Sequence, residues 1–93
     1  MTTLVWDKPA ARSFRRILKR NPAFGADVQE TLEKLAQDPF HPRLETHKLK
    51  GKLAGSWACS AGYDLRIVFD FVKSTTGETE ILLIDIGTHD EVY

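Results

Sequence analysis

The sequence carries a single cysteine, Cys59, which excludes an internal disulfide and a zinc site built from paired cysteines. It lacks any apolar run approaching the ~20 residues of a membrane span. The opening Met1-Thr2-Thr3-Leu4-Val5-Trp6-Asp7 has no basic region and only a short apolar run, unlike a secretory signal. His41, His47 and His89 are not at the close helical spacing of a zinc protease. A glycine-rich phosphate loop and a serine in a nucleophile elbow are also missing. Metal-enzyme, nucleotide-hydrolase and serine-hydrolase readings are therefore poorly supported, and no metal or cofactor is expected. Low-complexity segments, linkers and repeats are absent too. What remains is a 93-residue chain with 42% hydrophobic and 28% charged residues. Those values predict one globular domain over residues 1–93 with a modest core, in the cytoplasm and away from membranes.

Net charge is also missing, since 13 Lys/Arg balance 13 Asp/Glu. The distribution is uneven, however. Residues 1–52 hold eleven Lys/Arg against six Asp/Glu, a balance of +5, and residues 53–93 hold two against seven, a balance of −5. A neutral total can thus conceal a basic face, and a phosphate meets the local field rather than the total.

Periodicity predicts a strand over Thr3–Trp6, then a helix capped by Asp7 with Pro9 in its first turn. Ala10, Phe14, Ile17 and Leu18 mark the helix's apolar side, while Arg12, Arg15, Arg16, Lys19 and Arg20 fill the rest. Pro22 ends it by disfavouring helical geometry at Asn21. A second helix is expected over Ala26–Gln37 on the stripe Val28, Leu32, Leu35 and Ala36, broken by Asp38-Pro39-Phe40-His41-Pro42. Strands are predicted over His47–Lys50, Ser56–Ala61, Leu65–Val72 and Glu80–Ile86, with a turn at Lys73–Gly77. Trp57, Cys59 and Ala61 fall on one face of their strand, Ser56, Ala58 and Ser60 on the other. The expected architecture is α+β: a two-helix hairpin packed on a mainly antiparallel sheet of about four to five strands.

Polar residues near strand ends carry the chemistry. Thr46-His47-Lys48-Leu49-Lys50-Gly51-Lys52 sets an imidazole beside three ammonium groups. Arg66 interrupts the apolar strand Leu65-Arg66-Ile67-Val68-Phe69, and Gly87-Thr88-His89-Asp90-Glu91-Val92-Tyr93 supplies a second histidine and an aromatic ring. Cations that hold a phosphate, with groups that move protons, suffice for RNA cleavage by its own 2′-hydroxyl.

The blocks "HKLKGKLAG", "YDLRIVFDF" and "LLIDIGTHDEVY", in this order, resemble those of the RelE/YafQ family of mRNA interferases. The resemblance implies a RelE-like fold and the toxin of a type II toxin–antitoxin pair. Such a toxin enters the ribosomal A site and cuts mRNA through the RNA 2′-hydroxyl, without a metal. A cognate antitoxin neutralises it, and the complex binds operator DNA through the antitoxin. By position, His47 and His89 resemble proton-transfer residues, Asp64 an acid before the long strand, Arg66 a phosphate-binding arginine and Tyr93 a terminal aromatic that orients RNA. Lys48, Lys50 and Lys52 resemble the family's lysine-rich segment, and Arg12 and Arg16 are further candidates for phosphate contacts. The sequence departs from the YafQ pattern at Ala58 and Ser60, where an aspartate and a second histidine are expected.

Each candidate has a plainer reading. His47 and His89 fit surface histidines, Arg66 an ion-pair partner of Asp64, Asp70 or Asp85, Tyr93 a cover for the sheet edge, and Asp64 a turn residue. The basic first helix fits a solvated face; Cys59 and Trp57 fit the core, and His41 a loop residue without a role. Two other functions compete. One is a ParE-type toxin that shares the fold and inhibits DNA gyrase by binding it. The other is a catalytically weak homologue whose main action is antitoxin binding.

Overall fold

The structure, a computed structural model, describes residues 2–62 and 64–88. Strand β1 (Leu4–Trp6) leads into α1 (Lys8–Arg20) through Asp7, whose carboxylate accepts the Lys8 N–H at 2.9 Å. Ala10, Ser13 and Ile17 are its buried stripe. Asn21 is extended (φ −152°, ψ 94°), as the residue before Pro22 should be, and it ends the helix. Helix α2 (Phe24–Gln37) begins earlier than Ala26 because the Phe24 and Gly25 N–H groups bond back to the Asn21 and Pro22 carbonyls. Its early turn has no side-chain cap to mark it in sequence.

After α2 the chain makes a short 3-10 turn at Pro42–Leu44, capped by His41, whose Nδ1 accepts the Arg43 N–H at 3.1 Å. His41 thus has a local structural role where none was expected. Strand β2 is only His47–Lys48, shorter than the His47–Lys50 expectation, because the chain turns away into a second 3-10 turn at Gly51–Leu53, with Gly51 at φ 73°. Strands β3 (Trp57–Ala61), β4 (Leu65–Lys73) and β5 (Thr79–Thr88) follow as a meander.

The sheet order is β1-β5-β4-β3-β2. All pairs are antiparallel except β1 with β5, so the mainly antiparallel expectation holds with one parallel edge. One face of the sheet packs against the helices. Cys59, Ala61, Leu65, Ile67, Phe69, Ile81, Leu83 and Ile86 join Ala10, Ile17, Val28 and Leu35 in a single buried cluster. Each buried Leu, Ile or Phe contributes roughly 1.5–3 kcal/mol by leaving water. Cys59 lies in this cluster as expected, and burial pushes its thiol pKa up to about 12.

Two details fix how the layers meet. The register of β4 on β5 slips between Val68 and Phe69, so β5 carries an extra residue there. At this bulge Asp85 accepts a hydrogen bond from Ser13 Oγ at 2.7 Å, tying α1 to β5, and also accepts its neighbour's Ile86 N–H at 2.9 Å. In the β3–β4 turn, Gly62 (φ 68°) passes so close to α2 that a Cβ would stand 2.7 Å from Asp27 Oδ2. No helix among the described residues is long and apolar enough to cross a membrane.

Candidate functional site

Strand register decides which candidate side chains share a face. His47 pairs with Ala58 and Ala58 with Val68; one row along, Ser60 pairs with Arg66 and Arg66 with Gly87. Because side chains alternate, His47, Ala58, Ser60, Arg66 and Val68 all belong to the face opposite the helices. His47 and Arg66 stand two strands and one row apart, roughly 12 Å between backbones at ordinary sheet spacing. Between them on this face, Ala58 and Val68 are buried. Gly87, beside Arg66, adds no side chain to obstruct it.

His47 is exposed at the sheet edge, and its Nδ1 lies 2.9 Å from the Glu45 carbonyl. A carbonyl only accepts, so in this contact Nδ1 donates. Glu45 sits at φ 52° in the left-handed region, which turns its carbonyl toward the ring at the end of the 3-10 turn. Arg66 is half-buried and donates from Nη1 to its neighbour's Leu65 carbonyl at 2.9 Å. Among the described residues its guanidinium forms no ion pair, so Asp64, Asp70 and Asp85 are not its partners. Asp85 is engaged with Ser13 instead. Asp64 is exposed in the turn before β4.

The remaining candidates separate. Lys48 pairs with Trp57 and holds Nζ 5.5 Å from that ring's centroid, on the helix side of the sheet. It therefore points away from the His47–Arg66 face. Lys50 and Lys52 are exposed around the second 3-10 turn. Arg12 and Arg16 are exposed on α1, which packs on the helix side, so the sheet stands between them and the His47–Arg66 face. His89 and Tyr93 lie outside the described residues. Among the described residues no cluster of three His, Cys, Asp or Glu side chains could hold a metal ion.

Two recesses flank these elements. A polar cavity of about 260 Å³ beside Ser60 is walled by Asp27, Thr31 and Lys34 of α2 together with Arg43 and Glu45. A larger apolar groove, about 730 Å³, runs between β1 and the two helices over Leu4, Phe14, Val28, Leu32 and Ala36. Val28 and Ala36 are buried as the helical stripe implies. The groove exists because Phe14 and Leu32 are only half-buried.

The sequence profile of the ParE toxins of type II toxin–antitoxin systems matches residues 4–93, nearly the whole chain. The chain belongs to that toxin family. Solved structures share the fold over 95% or more of both chains. YafQ from Escherichia coli superimposes with a TM-score of 0.77 at 8% identity, covering 100% of this chain and 99% of that one. The YoeB/ParE toxin from Agrobacterium tumefaciens gives 0.75 at 19% identity over 95% and 99%. A Helicobacter pylori protein, HP0894, gives 0.75 at 27% identity over 100% of both. Among curated proteins no sequence matches the chain. The toxin thus has the RelE-like fold that its motifs implied, within the wider RelE/ParE group. As the toxin of a type II pair, its partner is an antitoxin; a YafQ structure of the same fold was solved in complex with DinJ.

Proposed function

We propose that this toxin is an endoribonuclease that cuts mRNA at the ribosome. The observation that carries the reading is the shared sheet face of His47 and Arg66, a histidine whose Nδ1 lies against the Glu45 carbonyl and an arginine with no ion pair among the described residues. In the reaction, His47 takes the proton of a 2′-hydroxyl, and the 2′-oxygen attacks the adjacent phosphorus. Arg66 turns its fork from the Leu65 carbonyl to the phosphoryl oxygens, whose negative charge grows in the transition state. The 5′-oxygen leaves, taking a proton from His89, and the products end in a 2′,3′-cyclic phosphate and a 5′-hydroxyl. The RNA supplies its own nucleophile, so the step needs no metal. Asp64 and Tyr93 complete the site as an acid near the phosphate and a ring that orients the nucleotide. Lys50, Lys52, Arg12 and Arg16 attract the phosphates of mRNA and ribosomal RNA.

The antitoxin's amphipathic helix fits the apolar groove between β1 and the helices. The groove's lining is mainly apolar, with Gln29, Glu33 and Gln37 as polar members, which suits the apolar face of a helix. The complex binds operator DNA through the antitoxin, and the toxin acts in the cytoplasm.

A second reading is favoured by two observations. The matching family is that of ParE toxins, and Ala58 and Ser60 stand where a YafQ-like site would hold an aspartate and a histidine. On this reading the toxin binds DNA gyrase and cuts no RNA. Growth arrest on expression without antitoxin separates the two when combined with variants. The nuclease reading expects Arg66→Ala with His89→Ala to abolish arrest while antitoxin binding persists. Undiminished arrest by that double variant contradicts the site.

A further inference from the structure

Three aromatic rings meet at one end of the sheet's helix side. Phe40, in the loop after α2, stacks on Phe71 of β4 with centroids 5.9 Å apart and an interplanar angle of 24°. It meets Trp57 of β3 nearly at right angles, at 5.4 Å and 80°, and Trp57 meets Phe71 in the same manner at 5.7 Å and 78°. These are the offset and edge-on geometries that ring quadrupoles favour. Trp57 and Phe71 are half-buried, yet Phe40 is 57% exposed, more than Val5, Trp6 or Leu53. One side of its ring is occupied and the other meets water.

The loop presenting Phe40 is fastened. Asp38 Oδ1 accepts the Phe40 N–H at 3.1 Å, the His41 N–H donates to the Asp38 carbonyl at 3.0 Å, and Thr46 Oγ1 donates to the Pro39 carbonyl at 2.6 Å. Pro39 and Pro42 restrict φ on either side. Little conformational freedom is left for a ligand to freeze, so stacking energy goes into affinity. A cation stands beside the rings, Lys48 Nζ at 5.5 Å from the Trp57 centroid, and Lys50 and Lys52 follow in the same exposed segment.

We infer that Phe40, braced by Trp57 and Phe71 and flanked by Lys48, is a stacking platform for an unpaired nucleobase of single-stranded RNA. An exposed aromatic face beside phosphate-attracting cations is the combination that holds single strands with little sequence preference, because every base has a π-face. The sheet edge explains how this platform serves the cleavage site, and here the inference rests on the nuclease reading above. His47 and Lys48 are consecutive on the outermost strand and project to opposite faces. RNA crossing that edge sets its phosphodiester at His47 and a neighbouring base on Phe40. A ring that only covered Trp57 and Phe71 would matter for stability and not for RNA.

The test uses the full chain with Trp6→Phe, which leaves Trp57 as the sole tryptophan, and a 2′-O-methylated adenosine hexanucleotide that has no 2′-hydroxyl to react. Quenching of Trp57 fluorescence reports binding. Phe40→Ala should weaken it about 5- to 100-fold. Phe40→Leu, which keeps an apolar cover but no π-face, should show the same loss with the parent's melting temperature, and Phe40→Tyr should bind like the parent. Parental affinity in Phe40→Ala, or full recovery in Phe40→Leu, overturns the platform. So does a loss confined to antitoxin affinity, which assigns the ring to a protein partner. Cleavage of mRNA on ribosomes, measured in parallel, separates the two readings. Cleavage without a Phe40 effect overturns the platform alone, and absence of both cleavage and oligonucleotide binding overturns both. Phe40-dependent binding without cleavage keeps the platform and overturns the nuclease.

Discussion

The proposed nuclease gives His47 and Arg66 different work, and their variants should differ accordingly. His47 is exposed, so His47→Ala should change stability by no more than about 0.5 kcal/mol. Loss of a proton-transfer group should lower the cleavage rate about 10²–10⁴-fold, measured on programmed ribosomes. Arg66→Lys keeps the charge but not the planar fork, so it should recover only part of the activity lost in Arg66→Ala. Equal activity in all of these variants would remove both residues from the site. Cys59 offers a control without a catalytic role. Burial favours its neutral thiol over the thiolate and holds its pKa at about 12. The folded protein therefore keeps a proton there that the unfolded chain releases above about pH 9, so stability should fall as pH rises from 9 toward 12. At pH 7–8 a thiol reagent should label Cys59 only after denaturant is added, and rapid labelling of the native protein would contradict its burial.

At the scale of elements, local chemistry was easy to read and pairing was not. Asp7, Pro9 and Pro22 bound α1 as their chemistry requires, and the β-branched runs at Leu65 and Glu80 became β4 and β5. Alternation alone put His47 and Lys48 on opposite faces. The parallel pairing of β1 with β5 depends on contacts across most of the chain, and no local period records it. The same holds for the bulge at Val68/Phe69, which brings Asp85 to Ser13 and removes it as a partner for Arg66. Phe40 looked like part of a breaker segment because only the folded loop reveals the rings beneath it. Ser13→Ala should therefore cost about 1.5–3 kcal/mol, the value of a hydrogen bond to an ionised acceptor, seen as a lower urea midpoint with unchanged slope. An unchanged midpoint would mean that Asp85 does not tether α1.

Over the whole molecule, the uneven charge of a neutral chain takes on a spatial meaning. Arg12, Arg15, Arg16, Lys19 and Arg20 are exposed along α1, on the opposite side of the sheet from the His47–Arg66 face. In the proposed nuclease these cations of α1 would meet ribosomal RNA or an acidic antitoxin segment, away from the face that carries the proposed chemistry. Association with ribosomes should accordingly weaken steeply with salt, more in the parent than in an Arg12→Ala, Arg15→Ala double variant. Equal salt slopes would take α1 out of the interface.

The family membership admits both an mRNA nuclease and a gyrase inhibitor, so the central claim turns on what is broken in arrested cells. The most direct measurement is primer extension on mRNA from cells expressing the toxin without its antitoxin. The nuclease account predicts new 5′ ends within codons of translated messages, absent when His47 and Arg66 are both replaced by alanine. Intact mRNA together with gyrase-trapped, broken DNA would contradict it.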